Sequence, residues 1–386
     1  MEKFDWKCII RSTIIRLQIL GLWPGGDEAY KLNLYTLWST FSVSLFIVGQ
    51  PVLKTINIIF IFGDLEAVIA NVYLNLSEVL NVLKAYFTIK NMKILKQLMM
   101  TLNSDLFQPR NHKQINLVQS GLKLWKINSS FFWMLAMGTV FFMATSPFFN
   151  NSVKEHELPF SAWYPYDIKI SPYYEITYVY QVISITFSAS TAVCTDTLIA
   201  ALFVYIGAQF DILCADIRHL YDIAEDESTD FSKKFINCIK HHRAILKFAE
   251  NSSKFANWII LGQFFISALS IGMTMFRLTT VVPLSGEFFS FIAFLMGIVV
   301  ETFTFCWFGN EVEIKSSQIP YAVFESSWTN ASTEVKKHMI FFITKCQKPL
   351  KMSALNLFYL SLDTFTKILR ASWSYFAVLY QISTRA

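Results

Sequence analysis

Apolar residues crowd into seven windows of the chain, at about 32–52, 64–87, 128–149, 174–206, 255–282, 287–308 and 355–382. Each is long enough for a helix to cross a hydrocarbon core of ~30 Å, because a helix rises ~1.5 Å per residue. Isolated charges interrupt them: Glu66 and Glu78 in the second, Asp196 in the fourth, Arg277 near the end of the fifth. Ionisable groups at such depth turn toward protein or water rather than lipid. Pro51, Pro147 and Pro283 stand near the ends of the first, third and fifth windows and are expected to mark where those helices stop. The intervening segments at about 88–126, 207–254 and 311–350 are polar and basic, and are expected to extend the helices beyond the bilayer, with a short helix at 335–346 ahead of Pro349. The pattern predicts an all-α, polytopic membrane protein with seven transmembrane helices, forming a single domain over 1–386.

The seventh window departs from the others. On a helix Asp363, Lys367, Arg370, Ser374, Val378 and Gln381 fall on one stripe, opposite Phe365, Leu369, Trp373, Phe376, Leu379 and Tyr380. Read from the residues alone, the stripe either lines a water-filled pathway or packs inside a bundle. Arg370 to Gln381 covers ~16 Å of helix, so Asp363, Lys367 and Arg370 belong to the inner half and Val378 to the outer end. In the first reading Val378 and Ile382 form a narrow apolar ring, a gate that works by dewetting, with Ser374 and Gln381 beside it. One helix cannot enclose a pore, so this reading requires several copies about a symmetry axis.

A second constellation lies in the outer halves of windows two to six. It comprises Ile69, Val72, Tyr73 and Leu76, then Met134, Met137, Gly138 and Phe141, then Tyr178 and Val182, then Met273 and Phe276, and finally Phe288 and Phe291. Aromatic rings and flexible thioethers with few polar groups suit a cavity for small apolar molecules. The same residues could instead face lipid or neighbouring helices.

Composition narrows the class further. Hydrophobic residues make up 54% of the 386 and charged ones only 16%, with mean hydropathy +0.40, against roughly 25% charged residues in soluble domains. A net charge of +5 is too mild to imply nucleic acid. The six cysteines, Cys8, Cys194, Cys214, Cys238, Cys306 and Cys346, show neither a C-x-x-C pair nor Cys/His ligand spacing, so no disulfide, metal or cofactor is expected. No phosphate-binding, dinucleotide-binding, esterase or zinc-protease motif supports an enzyme. His241 and His242 sit in a charged stretch and are expected to be solvated. Arg11 and Arg16 interrupt the first apolar run, which argues against a signal peptide. Ile10, Ile14 and Leu17 instead recur at helical spacing, in a helix that lies either on the membrane surface or against the bundle.

Charge placement sets an expected orientation. With the N-terminus inside, the cytoplasmic segments hold 25 of the 33 lysines and arginines, and the external ones hold 4: Lys54, Lys154, Lys169 and Arg385. The positive-inside rule then puts the N-terminus in the cytoplasm and the C-terminus outside. That is opposite to G-protein-coupled receptors, whose D-R-Y and N-P-x-x-Y triplets are also missing from the sequence. No inverted repeat suggests a secondary transporter. Asn150 begins the one sequon that this topology leaves external, at the start of a Pro- and aromatic-rich loop reaching Tyr173.

Four segments resemble the seven-helix insect odorant receptor family. They are CQKPLK at 346–351, LSLDTF at 360–365, SYFAVLYQ at 374–381, and LPFSAWYPY at 158–166 in the external loop; LGLWP at 20–24 is similar to the family's lead into the first span. The piece at 374–381 is similar to a T-Y, five hydrophobics, Q-F signature shared with insect gustatory receptors, with Ser374 in place of Thr and Ile382 in place of Phe. The resemblance covers nearly the whole length and implies an odorant-binding subunit of a ligand-gated, non-selective cation channel in the plasma membrane of olfactory neuron dendrites. Its implied partners are a common odorant receptor co-receptor subunit, in a tetramer, a small volatile ligand and membrane lipid. It implies further that the seventh helices line the pore, that Val378 and Ile382 are the extracellular gate with Gln381 between them, and that the cavity among spans two to six is the odorant pocket. The segment at 207–254 is short beside the co-receptor's, so the chain resembles a tuning subunit. A gustatory receptor, with a more polar pocket, is the alternative within the superfamily.

Overall fold

The computed structural model describes residues 3–26, 30–63, 65–149, 156–220, 228–326 and 328–385. Its elements are α1 (Lys7–Ile19), α2 (Leu34–Phe60), α3 (Leu65–Lys90), α4 (Met92–Leu102), α5 (His112–Phe149), α6 (Tyr173–Arg218), α7 (Ser228–Thr280), α8 (Gly286–Ser317), α9 (Ile319–Glu325), α10 (Thr333–Cys346), β1 (Ser353–Ala354), β2 (Phe358–Tyr359) and α11 (Leu362–Arg385). The long helices α2, α3, α5, α6, α7, α8 and α11 make an all-α bundle. Among the described residues α2, α5, α6, α7 and α8 are long and apolar enough to cross a membrane; α3 and α11 are the two with regular polar positions.

Helix α6 is the axis of the bundle. From Ser188 to Ile217 nearly every side chain is buried, and the helix packs against α1, α2, α3, α5, α7, α8 and α9. Its run TLIAALFVYIGAQF is apolar on all sides, and such a helix is stable only where neighbours cover it all round. Side-chain caps fix several starts: Asn33 accepts from Thr36 N–H at 2.9 Å before α2, and Ser285 from Phe288 N–H at 3.1 Å before α8.

The helices run past the apolar windows. Helix α2 does not stop at Pro51 but continues to Phe60, because a π-helical stretch at Val43–Val48 widens the turn just ahead of the proline. Tyr180 Oη donates to the Leu45 carbonyl at 3.0 Å within that irregular stretch. Pro147 likewise lies inside α5. This extension overturns the placing of Lys54 in an external segment. Lys54 is 3% exposed, its Nζ lies 2.5 Å from Glu78 Oε1, and its ammonium sits 4.2 Å above the Phe160 ring. At the other end of the chain the final helix starts at Leu362 rather than 355. Leu355 and Asn356 adopt left-handed backbone (φ 50° and 58°) and turn a two-stranded hairpin, pairing Ser353 with Tyr359.

Helix α1 turns Ile10, Thr13 and Leu17 into the protein, Trp6 just ahead of it is buried too, and Tyr205 Oη donates to the Trp6 carbonyl at 2.9 Å. Packing against α6 therefore accounts for its apolar stripe. The loop between α5 and α6 is ordered over 156–172: Gln181 accepts from Phe160 N–H at 3.1 Å and donates to its carbonyl at 2.9 Å, and Trp163 N–H reaches the Leu53 carbonyl at 3.2 Å. The sequon at Asn150 and the side chain of Glu66 lie outside the described residues.

His241 is not solvated, contrary to the expectation from its charged neighbourhood. It is 3% exposed, in the polar half of α7, with Nε2 2.9 Å from Gln209 Oε1 and an edge contact to Phe107. Burial, the Arg110 guanidinium and His242 push its pKa down to about 4. The unfolded imidazole takes a proton below about 6.5, so stability held at neutral pH is lost as pH falls from about 6.5 to about 4, by ~3 kcal/mol in all. Melting of the purified protein should therefore fall steeply across that window and flatten below it, and His241→Gln should melt lower with a shallower pH slope.

Candidate functional site

Two cavities open in succession at the loop end of the bundle. The deeper, about 110 Å³, lies between α3, α5, α6, α7 and α8, with walls of Leu74, Phe132, Ala136, Val140, Met143, Ile185, Ala189 and Phe294. Its polar side carries Glu78, Asn81, Lys84, Gln263 and Glu301. The outer one, about 300 Å³, is lined by Pro159, Phe160 and Ser161 of the loop between α5 and α6 and by Lys54, Asn71, Tyr73, Arg277 and Glu287. Leu74 and Met143 border both, so the charged outer space, here the vestibule, and the apolar chamber lie side by side.

Ion pairs hold the chamber in shape. Lys84 Nζ, fully buried on α3, lies 2.8 Å from Asp196 Oδ2 on α6 and 2.6 Å from Glu301 Oε1 on α8. One cation thus ties three helices, and Lys54 with Glu78 ties α2 to α3. In an apolar interior such charges persist only when paired.

The residues singled out from the sequence divide into two groups. Ile69, Tyr73, Met273, Phe276 and Phe291 are buried and, with Val72 and Leu76, join one apolar cluster at the outer end. That cluster shares Leu74, Val140, Met143 and Ile185 with the chamber wall and contains Leu379 of α11. Tyr73 and Phe291 border the vestibule, and none of the fourteen lines the deeper chamber. Met134 and Phe141 are 64% and 60% exposed and face outward from α5, because the inward face of that helix runs through Phe132, Ala136, Thr139, Val140 and Met143 instead. Tyr178 donates to the Ala144 carbonyl; Met137, Gly138, Val182 and Phe288 lie outside both linings.

Helix α11 buries Thr364, Ile368, Ser372 and Leu379 and packs chiefly on α7. At the crossing a Cβ on Gly272 would come 2.7 Å from Tyr375 Cδ1 and 3.0 Å from the Ser372 carbonyl oxygen, so only glycine fits. The polar stripe stays on the open side: Asp363, Lys367, Arg370, Ser374, Val378, Gln381 and Ile382 are all exposed in the single chain, and Lys367 Nζ lies 2.7 Å from Asp363 Oδ2.

Sequence reasoning missed Lys84 and Glu301 altogether and saw Asp196 only as a lone carboxylate. Charge balance held the signal, since isolated ions in separate apolar windows need partners from one another.

Residues 64–373 match the 7tm Odorant receptor family. The chain belongs to the seven-transmembrane odorant receptor family. Among odorant receptors it is 25% identical to Odorant receptor Or1 of Anopheles gambiae over 99% of this chain and 97% of that one. It is 24% identical to Odorant receptor 23a of Drosophila melanogaster over 70% of each. The fold matches the insect olfactory receptor OR5 from Machilis hrabei, solved in complex with eugenol, with a TM-score of 0.86 at 18% identity, covering 98% of this chain and all of that one. The chain is thus an odorant receptor of the insect type, a multi-pass membrane protein and not an enzyme.

Proposed function

We propose that this odorant receptor is the ligand-binding subunit of a ligand-gated, non-selective cation channel. It binds a small volatile molecule in the chamber between α3, α5, α6, α7 and α8 and assembles with the odorant receptor co-receptor, as a tetramer in the plasma membrane of olfactory neuron dendrites. The N-terminus is cytoplasmic and the C-terminus external, in keeping with the basic segments. The α11 helices surround the pore, with Val378 and Ile382 as the outer gate, Ser374 and Gln381 beside them, and Asp363, Lys367 and Arg370 at the inner mouth.

The observation that carries this reading is the apolar cluster around Tyr73. It contains four chamber-wall residues and Leu379 of α11, so a ligand that spreads the wall moves the helix carrying the open polar stripe. Ligand binding biases gating only as far as the open state holds the ligand better. The eugenol complex of the Machilis hrabei receptor supports a small-molecule ligand.

Whole-cell current in cells expressing this chain with and without an insect co-receptor subunit tests the proposal. A fast cation current evoked by a volatile compound, requiring both subunits and persisting under G-protein blockade, is the expected result; a response that needs G-protein signalling would overturn it. Ala136→Phe fills the chamber from α5 and should raise the half-maximal ligand concentration by about tenfold or more, the equivalent of ~1.4 kcal/mol of lost affinity.

A further inference from the structure

The chamber leaves hydrogen-bond acceptors unpaired. Glu78 and Gln263 both line it and both are buried to 2–3% exposure. One Glu78 oxygen accepts from Lys54 Nζ, while Oε2 has no hydrogen-bond partner among the described residues. Gln263 Nε2 donates to Ser267 Oγ at 3.0 Å, and Oε1, the other end of the amide, is also unpartnered among the described residues. Two of the wall's donors are engaged: Asn81 Nδ2 donates to Ser188 Oγ at 2.9 Å, and Lys84 Nζ is held between Asp196 and Glu301. Charge points the same way. The buried network sets Lys54 and Lys84 against Glu78, Asp196 and Glu301, an excess of one carboxylate. A buried acceptor without a donor costs free energy that a suitable incoming group recovers.

We propose that the ligand is a slender apolar molecule ending in a hydrogen-bond donor, an aliphatic alcohol or primary amine, whose O–H or N–H groups donate to Glu78 Oε2 and Gln263 Oε1. Its hydrocarbon body lies against Phe132, Ala136, Val140, Ile185 and Phe294. Acceptor-only compounds of the same length, ethers and aldehydes, fill the same space but leave both oxygens unpaired, and a site built for a donor rejects the analogue that lacks one. This rests on the chamber being the ligand site.

The test uses the purified full chain in detergent and reads thermal stabilisation, so it does not depend on channel activity. Octanol, octylamine, octanal and methyl octyl ether are titrated as probes. The expected result is half-maximal stabilisation by the alcohol and the amine at concentrations about tenfold below those of the aldehyde and the ether. Gln263→Met removes one acceptor while Ser267 Oγ still accepts from Thr302 Oγ1 at 2.9 Å, and should cut that ratio to about threefold; Glu78→Gln, which puts a donor in the wall, should cut it too. Equal saturable stabilisation by all four probes would overturn the donor requirement and leave the chamber as the ligand site. Saturable stabilisation by none would overturn the chamber itself, and the donor proposal with it.

Discussion

Lys84→Met is expected to abolish delivery of a folded receptor to the cell surface. Its ammonium is the cation that Asp196 and Glu301 share, at 2.8 and 2.6 Å, and all three groups lie within the bundle. Methionine matches the length of the lysine stem but leaves two carboxylates facing each other in an apolar core. Removing one partner of a buried ion pair costs about 3–5 kcal/mol, a large share of the roughly 5–15 kcal/mol by which proteins are stable. The penalty comes from stranded charge, so removing the charge should reverse much of it. The triple variant Lys84→Met, Asp196→Asn, Glu301→Gln should recover surface delivery, read by labelling intact cells. Normal delivery of Lys84→Met alone would mean that the triad does not hold α3, α6 and α8 together.

The second large effect is expected at Gly272. Leucine there drives a side chain into Tyr375 and the Ser372 carbonyl of α11, to which even a Cβ would approach within 2.7 and 3.0 Å. The backbone of α11 must move, since overpacking of a close helix crossing is relieved only by displacement, at a cost of about 1–3 kcal/mol. That cost leaves a folded protein with a shifted α11. If α11 lines the pore, Gly272→Leu should change the current that flows without ligand, measured with the co-receptor present. Gly138→Ala is the control, because nothing lies within 4 Å of a Cβ there. An unchanged ligand-free current in a delivered Gly272→Leu receptor would separate α11 from conduction.

Seven apolar windows and the stripe on the last helix were legible in the sequence because both depend only on local periodicity. The lining of the chamber was not. Helix α6 is apolar on every side, so its pattern carries no face, and α5 reads alike at Met134 and Phe141, which point outward, and at Val140 and Met143, which line the chamber. Aromatic and thioether content marked the apolar cluster beside the chamber, which shares Leu74, Val140, Met143 and Ile185 with its wall and contains Leu379 of α11. Pairings over long sequence distance, Lys84 with Glu301 above all, follow from the fold rather than from spacing. Lys54 misled for a related reason: Pro51 suggested a helix end, and a π-helical turn carried the helix through it. His241 misled because its neighbours in sequence are charged whereas its neighbours in space are Gln209 and Phe107.

The central claim is that ligand in the chamber opens a pore lined by the exposed stripe of α11. The most direct test is ligand-evoked current through receptors carrying Val378→Cys, co-expressed with the co-receptor, before and after a charged, membrane-impermeant thiol reagent applied from outside. Val378 belongs to the open stripe, and Trp373→Cys on the exposed face beside it serves as comparison. The account predicts that the reagent blocks current through Val378→Cys, faster while ligand is present, and leaves Trp373→Cys conducting. Block of Trp373→Cys with Val378→Cys untouched would contradict it, and would place a different face of α11 on the ion path.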